Sequence, residues 1–222
     1  MQTDVNARLI SVLLVEDHPM FRERLAFMIS KRGDMRVCGE ADNAQDALRC
    51  AETLKPDIAI VDITLRGSNG LDFLKDLKAR GIELPVLVLS MHDEAIYAER
   101  VLRAGARGYI TKYEASSEVM AAIEQVLNGD VYLSRQMTSR MLGRFALDKK
   151  QEAGDIGALT DRELEVFQRL GSGQTAREIA AGMHVGVTTV DTYRARIKEK
   201  LGLRNGNELQ RRAMEWTQEN PA

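Results

Sequence analysis

Five polar side chains stand where apolar runs of the chain stop, and their types define a chemistry. Leu9-Ile10-Ser11-Val12-Leu13-Leu14-Val15 stops at the paired acids Glu16-Asp17, and Ile58-Ala59-Ile60-Val61 stops at Asp62. Val86-Leu87-Val88-Leu89 stops at the hydroxyl of Ser90, and Gly108-Tyr109-Ile110-Thr111 stops at Lys112. If these runs are parallel strands, three carboxylates, a hydroxyl and an ammonium converge at the carboxyl edge of one sheet, where open α/β sheets bind ligands. That set can hold a divalent cation and a phosphoryl group.

The elements that must carry these groups are legible in the spacing. Up to about Asn128, short apolar runs alternate with amphipathic stretches: Phe21, Leu25, Met28 and Ile29 after Pro19, then Ala44 to Ala51, Leu71 to Leu77, Ile96 to Ala104 and Val119 to Leu127. Val37 marks the remaining strand. Five strands alternating with five helices predict a doubly wound parallel sheet of order 2-1-3-4-5, because parallel neighbours need crossover connections. A possible helix begins at Ser134, and the segment 148–155 is charged and lacks large apolar residues, so it reads as linker. From Ala158 onward the pattern is helical only: Asp161 to Leu170, Thr175 to Ala181, Val187 to Leu201 and Asn207 to Trp216, punctuated by glycines. Four short helices with tight turns form an all-α bundle of the helix-turn-helix kind. The expected division is 8–130, a linker with a helix over 131–157, and 158–222.

The bulk composition of the 222 residues, 44% hydrophobic and 29% charged, is that of a folded chain and not a disordered one. The net charge of -2 hides a basic stretch: seven basic residues against three acids between Val187 and Arg212, which points to an anionic partner. Cys38, Cys50 and three scattered histidines carry no zinc spacing, and two lone cysteines suit a reducing cytosol. The N-terminal apolar run is too short for a membrane span and ends in acids, so the expectation is a cytoplasmic protein.

The first half resembles the receiver domain of bacterial response regulators over residues 9 to 128. The matched marks are Glu16-Asp17, Asp62, Ser90, Tyr109 and Lys112. The resemblance implies that Asp62 is the phosphoacceptor, a carboxylate nucleophile toward phosphorus. Lys112 then neutralises phosphoryl oxygens and Ser90 donates to one of them. Tyr109 is the switch aromatic, turning inward as the hydroxyl moves. Clustered carboxylates raise one another's pKa and take up a cation. Magnesium suits such oxygen ligands; Glu16, Asp17 and Asp62 supply carboxylates, and the resemblance adds the backbone carbonyl of Thr64. It also implies a sensor histidine kinase as phosphodonor. Leu65-Arg66 stands where many relatives have Met-Pro, which leaves that loop less constrained.

The second half looks like the LuxR-type helix-turn-helix over about residues 158 to 217. Leu159 to Val166, Arg177-Glu178-Ile179-Ala180, Thr189-Val190 and Lys200-Leu201-Gly202-Leu203 carry the match. Together the halves resemble the NarL/FixJ transcription regulators, which implies double-stranded DNA as a partner and a homodimer when phosphorylated. Thr188, Thr189, Asp191, Thr192, Arg194, Ala195, Arg196 and Lys198 are the candidate DNA-binding residues on the third helix. Val190, Ile197 and Leu201 face inward, and Asp191, Ala195 and Lys198 form an outward stripe. Asp191 stands where lysine is common. It either meets an amino donor such as cytosine N4 or simply complements the helix N-terminus. Trp216 packs on its own bundle or joins a dimer seam.

Other functions fit less well. An aspartyl-phosphate hydrolase needs a second acid two residues after the nucleophile, and Thr64 is there. A ligand-sensing regulator has no need of a complete acceptor site. A regulator independent of phosphorylation, or one acting through protein contacts without DNA, is the alternative; Gly186, where serine is usual, and Asp191 keep the latter open.

Overall fold

A computed structural model describes residues 8–91, 94–114, 116–147 and 156–219. The chain divides into two compact units, Met1–Thr138 and Ser139–Ala222. The charged segment 148–155 lies outside the described residues.

In the first unit, β1 (Ile10–Val15), β2 (Met35–Ala41), β3 (Ile58–Val61), β4 (Val86–Ser90) and β5 (Gly108–Thr111) form one parallel sheet in the order 2-1-3-4-5. The crossover helices are α1 (Pro19–Ser30), α2 (Ala44–Leu54), α3 (Gly70–Ala79), α4 (Glu94–Ala104) and α5 (Ser116–Leu127). Strands β3 and β4 are buried at every position, which is why they read as unbroken apolar runs and not as alternations. Side chains two apart share a face: Val12, Leu14, Ile58, Ile60, Leu87, Leu89 and Ile110 pack with Leu25 and Ile29 of α1 and Val119, Ile123 and Val126 of α5.

Strand register sets where the polar ends fall. Val15 pairs with Val61, Val61 with Val88, and Ser90 with Thr111. One residue further, the ladder continues through Asp62 N–H to the Val15 carbonyl (2.9 Å) and Lys112 N–H to the Ser90 carbonyl (2.8 Å).

The loop after Asp62 departs from expectation. It is a small antiparallel hairpin, Thr64–Leu65 paired with Ser68–Asn69, and it is held from several sides. Leu65 is buried, Arg66 N–H donates to the Asp42 carbonyl (3.0 Å), and Ser68 Oγ accepts from Ala44 N–H at the start of α2 (2.9 Å). Leu65 therefore anchors the loop by burial where a proline would have stiffened it.

The segment after α5 remains attached to the sheet. Tyr132 N–H donates to the Arg107 carbonyl (3.0 Å), and Tyr109 N–H donates to the Tyr132 carbonyl (2.9 Å), giving an isolated parallel bridge beside β5. Ser134 then caps α6 (Arg135–Leu147), its Oγ accepting from Met137 N–H (3.1 Å).

The second unit has α7 (Asp161–Gly171), α8 (Ala176–Gly182), α9 (Val187–Leu201) and α10 (Gly206–Glu219), after a 3-10 turn at Ile156–Ala158. Thr160 with Glu163 and Thr175 with Glu178 form capping boxes, so Thr175 precedes α8 rather than opening it. The α8–α9 turn is tight, with His184 in the left-handed region. Helices α7 and α10 approach closely at Gly171, where a Cβ would meet Ala213 O at 2.5 Å. Trp216 rests on Phe167, with ring centroids 5.7 Å apart. It packs on its own bundle.

Candidate functional site

The strand ends bring the acids together with the lysine. Atoms of Glu16, Asp17, His18 and Asp62 that could ligate a metal lie within 4.8 Å of one another. Lys112 reaches into this group from the end of β5, its Nζ 2.6 Å from Glu16 Oε2 and 2.7 Å from Asp62 Oδ2. Both ion pairs are buried, with side chains 3% exposed, so the charges are screened little by water. Burial first, and then the neighbouring Asp62 charge, raises the Glu16 pKa; Lys112 opposes the rise. Asp62 Oδ1 is enclosed and has no hydrogen-bond partner among the described residues. An enclosed acceptor without a donor is costly unless something else satisfies it.

A divalent cation fits this donor set. Three carboxylates face one ammonium, an excess of two negative charges, and the orphaned Asp62 oxygen is a ready ligand. Thr64 lies at the start of the hairpin, two residues from Asp62.

Ser90 and Tyr109 lie on adjacent strands and are both fully buried. A hydrogen bond joins their side chains. Tyr109 is thus turned inward, and burial, followed by the nearby Tyr97, raises its phenol well above the usual value.

In the second unit, α9 buries Val190 and Ile197, while Leu201 is half-buried. Thr188, Asp191, Thr192, Ala195 and Arg196 are exposed along one side. Thr192 Oγ1 donates to the Thr188 carbonyl (2.9 Å). Three candidates are placed otherwise than a solvated stripe requires: Thr189, Arg194 and Lys198 are half-buried. Lys198 keeps the face of Asp191, seven residues earlier, but is only partly exposed there. Arg194 Nη1 donates to Asp191 Oδ1 (3.2 Å).

Residues 12–124 match the family model of the response regulator receiver domain, and residues 157–213 match that of bacterial regulatory proteins of the luxR family. The chain belongs to the LuxR-type two-component response regulators. This regulator is 34% identical to the virulence-factor transcription regulator BvgA of Bordetella pertussis, over 86% of this chain and 90% of that one. It is 31% identical to the response regulator GacA of Pseudomonas aeruginosa, over 90% and 94%. Among solved structures, a LuxR-family two-component response regulator from Aurantimonas sp. SI85-9A1 superposes with a TM-score of 0.58 at 30% identity, covering 62% of this chain and 99% of that one. It shares the architecture of a family of transcription regulators, not of enzymes in the usual sense.

Three further residues of the regulator hold the acidic pocket, and spacing alone does not single them out. His18 Nδ1 lies 2.8 Å from Asp17 Oδ1 and 2.9 Å from Glu16 Oε1. Arg22 Nη1 donates to the Glu16 carbonyl (2.7 Å) while its Nε donates to Glu40 (2.8 Å). Phe21 places its ring face 4.5 Å from the Lys112 ammonium, a cation–π contact. The helical pattern reads Phe21 as ordinary core, and the position of His18 at the N-cap of α1 is the one local signal available.

Proposed function

We propose that the regulator accepts a phosphoryl group on Asp62 from the phosphohistidine of a sensor kinase, and that this controls sequence-specific binding of double-stranded DNA through α9. The observation that carries the reading is the state of Asp62. One of its oxygens is fixed by Lys112, and the other is enclosed without a partner among the described residues. Magnesium, held by Glu16, Asp17, Asp62 and the Thr64 carbonyl, would supply charge neutralisation at the phosphoryl oxygens.

The chain's own groups do the rest. An Asp62 carboxylate oxygen attacks phosphorus; the new P–O bond forms as the donor's P–N bond breaks, and the imidazole leaves and takes up a proton. Lys112, already bonded to Asp62, stabilises the added negative charge. Ser90 exchanges its bond with Tyr109 for one to a phosphoryl oxygen, which couples occupancy of Asp62 to the packing of Tyr109. The regulator turns over only its own phosphoryl group. It works in the cytoplasm and pairs as a homodimer when phosphorylated, placing two α9 helices on adjacent half-sites.

Incubation with acetyl phosphate and magnesium, followed by intact-mass measurement, tests the acceptor. The parent should gain one phosphoryl group and Asp62→Asn none; equal labelling of both sinks the assignment.

A further inference from the structure

The outward face of α9 carries acids among its cations. Asp191 and Glu199 are exposed there with Arg196, and Lys198 is partly exposed on the same face. An acid there weakens binding to every duplex by phosphate repulsion unless it meets a donor. Asp191 has little to do within the bundle. Its side chain is 58% exposed, and an exposed pair with Arg194 at i,i+3 contributes little to stability. Asp191 is the fifth residue of α9, past the first turn where the helix dipole favours an acid. That removes the helix-end explanation.

Arg194 is placed differently. It is half-buried, its Nε is enclosed, and its guanidinium lies against the start of α10, 3.7 Å from where a Cβ of Gly206 would sit. Its Nη1 engages Asp191 Oδ1 and so restrains the carboxylate. Asp191 Oδ2 has no partner among the described residues. The result is a carboxylate oriented by Arg194 at one oxygen, with its second oxygen open on the exposed side of the helix. In the major groove the exocyclic amino groups are cytosine N4 and adenine N6. Adenine places the N7 acceptor beside its amino group, which repels a carboxylate; cytosine offers its amino group without that acceptor.

We infer that Asp191 is a specificity-determining residue that reads cytosine in the major groove, with Arg194 as its positioning residue. This rests on the DNA-binding function proposed above and commits it to a base.

The test is selection from a randomised duplex pool by the full-length chain, with acetyl phosphate and magnesium, for the parent, Asp191→Asn and Arg194→Gln. The parent should enrich cytosine at one position of each half-site, and replacing that base should weaken binding roughly 5- to 150-fold. Asp191→Asn, which can pair with adenine N6 and N7, should move the preference at that position to adenine. Arg194→Gln should flatten it while keeping the rest of the motif. If the parent and Asp191→Asn enrich the same motif, the role of Asp191 is overturned and DNA reading by the chain stands. Loss of all duplex binding in Asp191→Asn would mark the residue as structural and also overturn it. A parent that enriches no motif overturns the DNA-binding reading itself, and this inference with it.

Discussion

Gly70 shows how little room surrounds Asp62, the proposed acceptor. A Cβ there would stand 2.2 Å from the Asp62 backbone oxygen, and the Gly70 N–H already donates to the Ile63 carbonyl (2.8 Å). Gly70→Ala should therefore displace the acceptor loop, costing about 1–3 kcal/mol as overpacking does. Urea unfolding should record that loss, and acetyl phosphate labelling should slow; an unaltered rate would mean that the loop relaxes freely. Phe21→Leu keeps the apolar volume but removes the π face beneath Lys112. Cation–π contacts contribute roughly 0.5–2 kcal/mol, so a loss in that range is expected by the same measurement. At this scale the sequence was only partly informative. Strand ends identify groups that share a sheet edge, because each apolar run stops at one. Phe21 and Arg22 act across the fold instead, on Lys112 and Glu40 of other elements, and no local period records that. His18 holds its own neighbours, Glu16 and Asp17, a role that its type alone does not announce.

Between elements, the clearest dependence joins α7 to α9. Lys200 Nζ donates to Glu163 Oε2 (2.6 Å), and Glu163 also accepts from Thr160 N–H (2.8 Å). Burial works against ionisation of Glu163, but these hydrogen bonds outweigh it and hold its pKa below the usual carboxylate value. A group with a lowered folded-state pKa contributes stability above its unfolded pKa, and loses it as pH falls through the folded value. Acid should consequently lower the thermal midpoint of the helical unit below about pH 4.5. Glu163→Gln should begin less stable near neutrality and lose less on acidification. If parent and variant fall in parallel, the pair is not the acid-sensitive link. Element types and order were readable because β3 and β4 are buried throughout and the helices are amphipathic. The hairpin after Asp62 was not, since its two-residue strands are too short to show a period and Leu65 is buried by tertiary contacts alone.

For the whole molecule, the charge excess in the acidic pocket should make stability depend on a divalent ion. A ligand that binds only the folded state stabilises it by mass action, about 2.7 kcal/mol at a hundred times its Kd. Magnesium should raise the unfolding midpoint of the parent, and raise it less in Asp17→Asn. No rise in the parent at a magnesium concentration that supports labelling would count against Glu16, Asp17 and Asp62 as ligands. Phosphorylation should act at the same scale by shifting a two-state equilibrium. A beryllofluoride mimic should increase the sedimentation coefficient of the parent and leave Asp62→Ala unchanged. The same coefficient for treated and untreated parent would separate phosphorylation from assembly.

The bridge made by Tyr132 has a consequence for how the molecule behaves in a crowd. β5 is an edge strand, and an open edge offers unpaired N–H and C=O groups to any passing chain. Tyr132 occupies part of that edge, taking the Tyr109 N–H and the Arg107 carbonyl out of circulation. Gly108 makes this possible, since a Cβ there would lie 3.1 Å from the Tyr132 carbonyl oxygen. The segment leading away from the sheet should thus also guard it against strand-to-strand aggregation. A chain cut after Asp130 should expose the edge and scatter light on concentration, while one cut after Thr138 should stay clear.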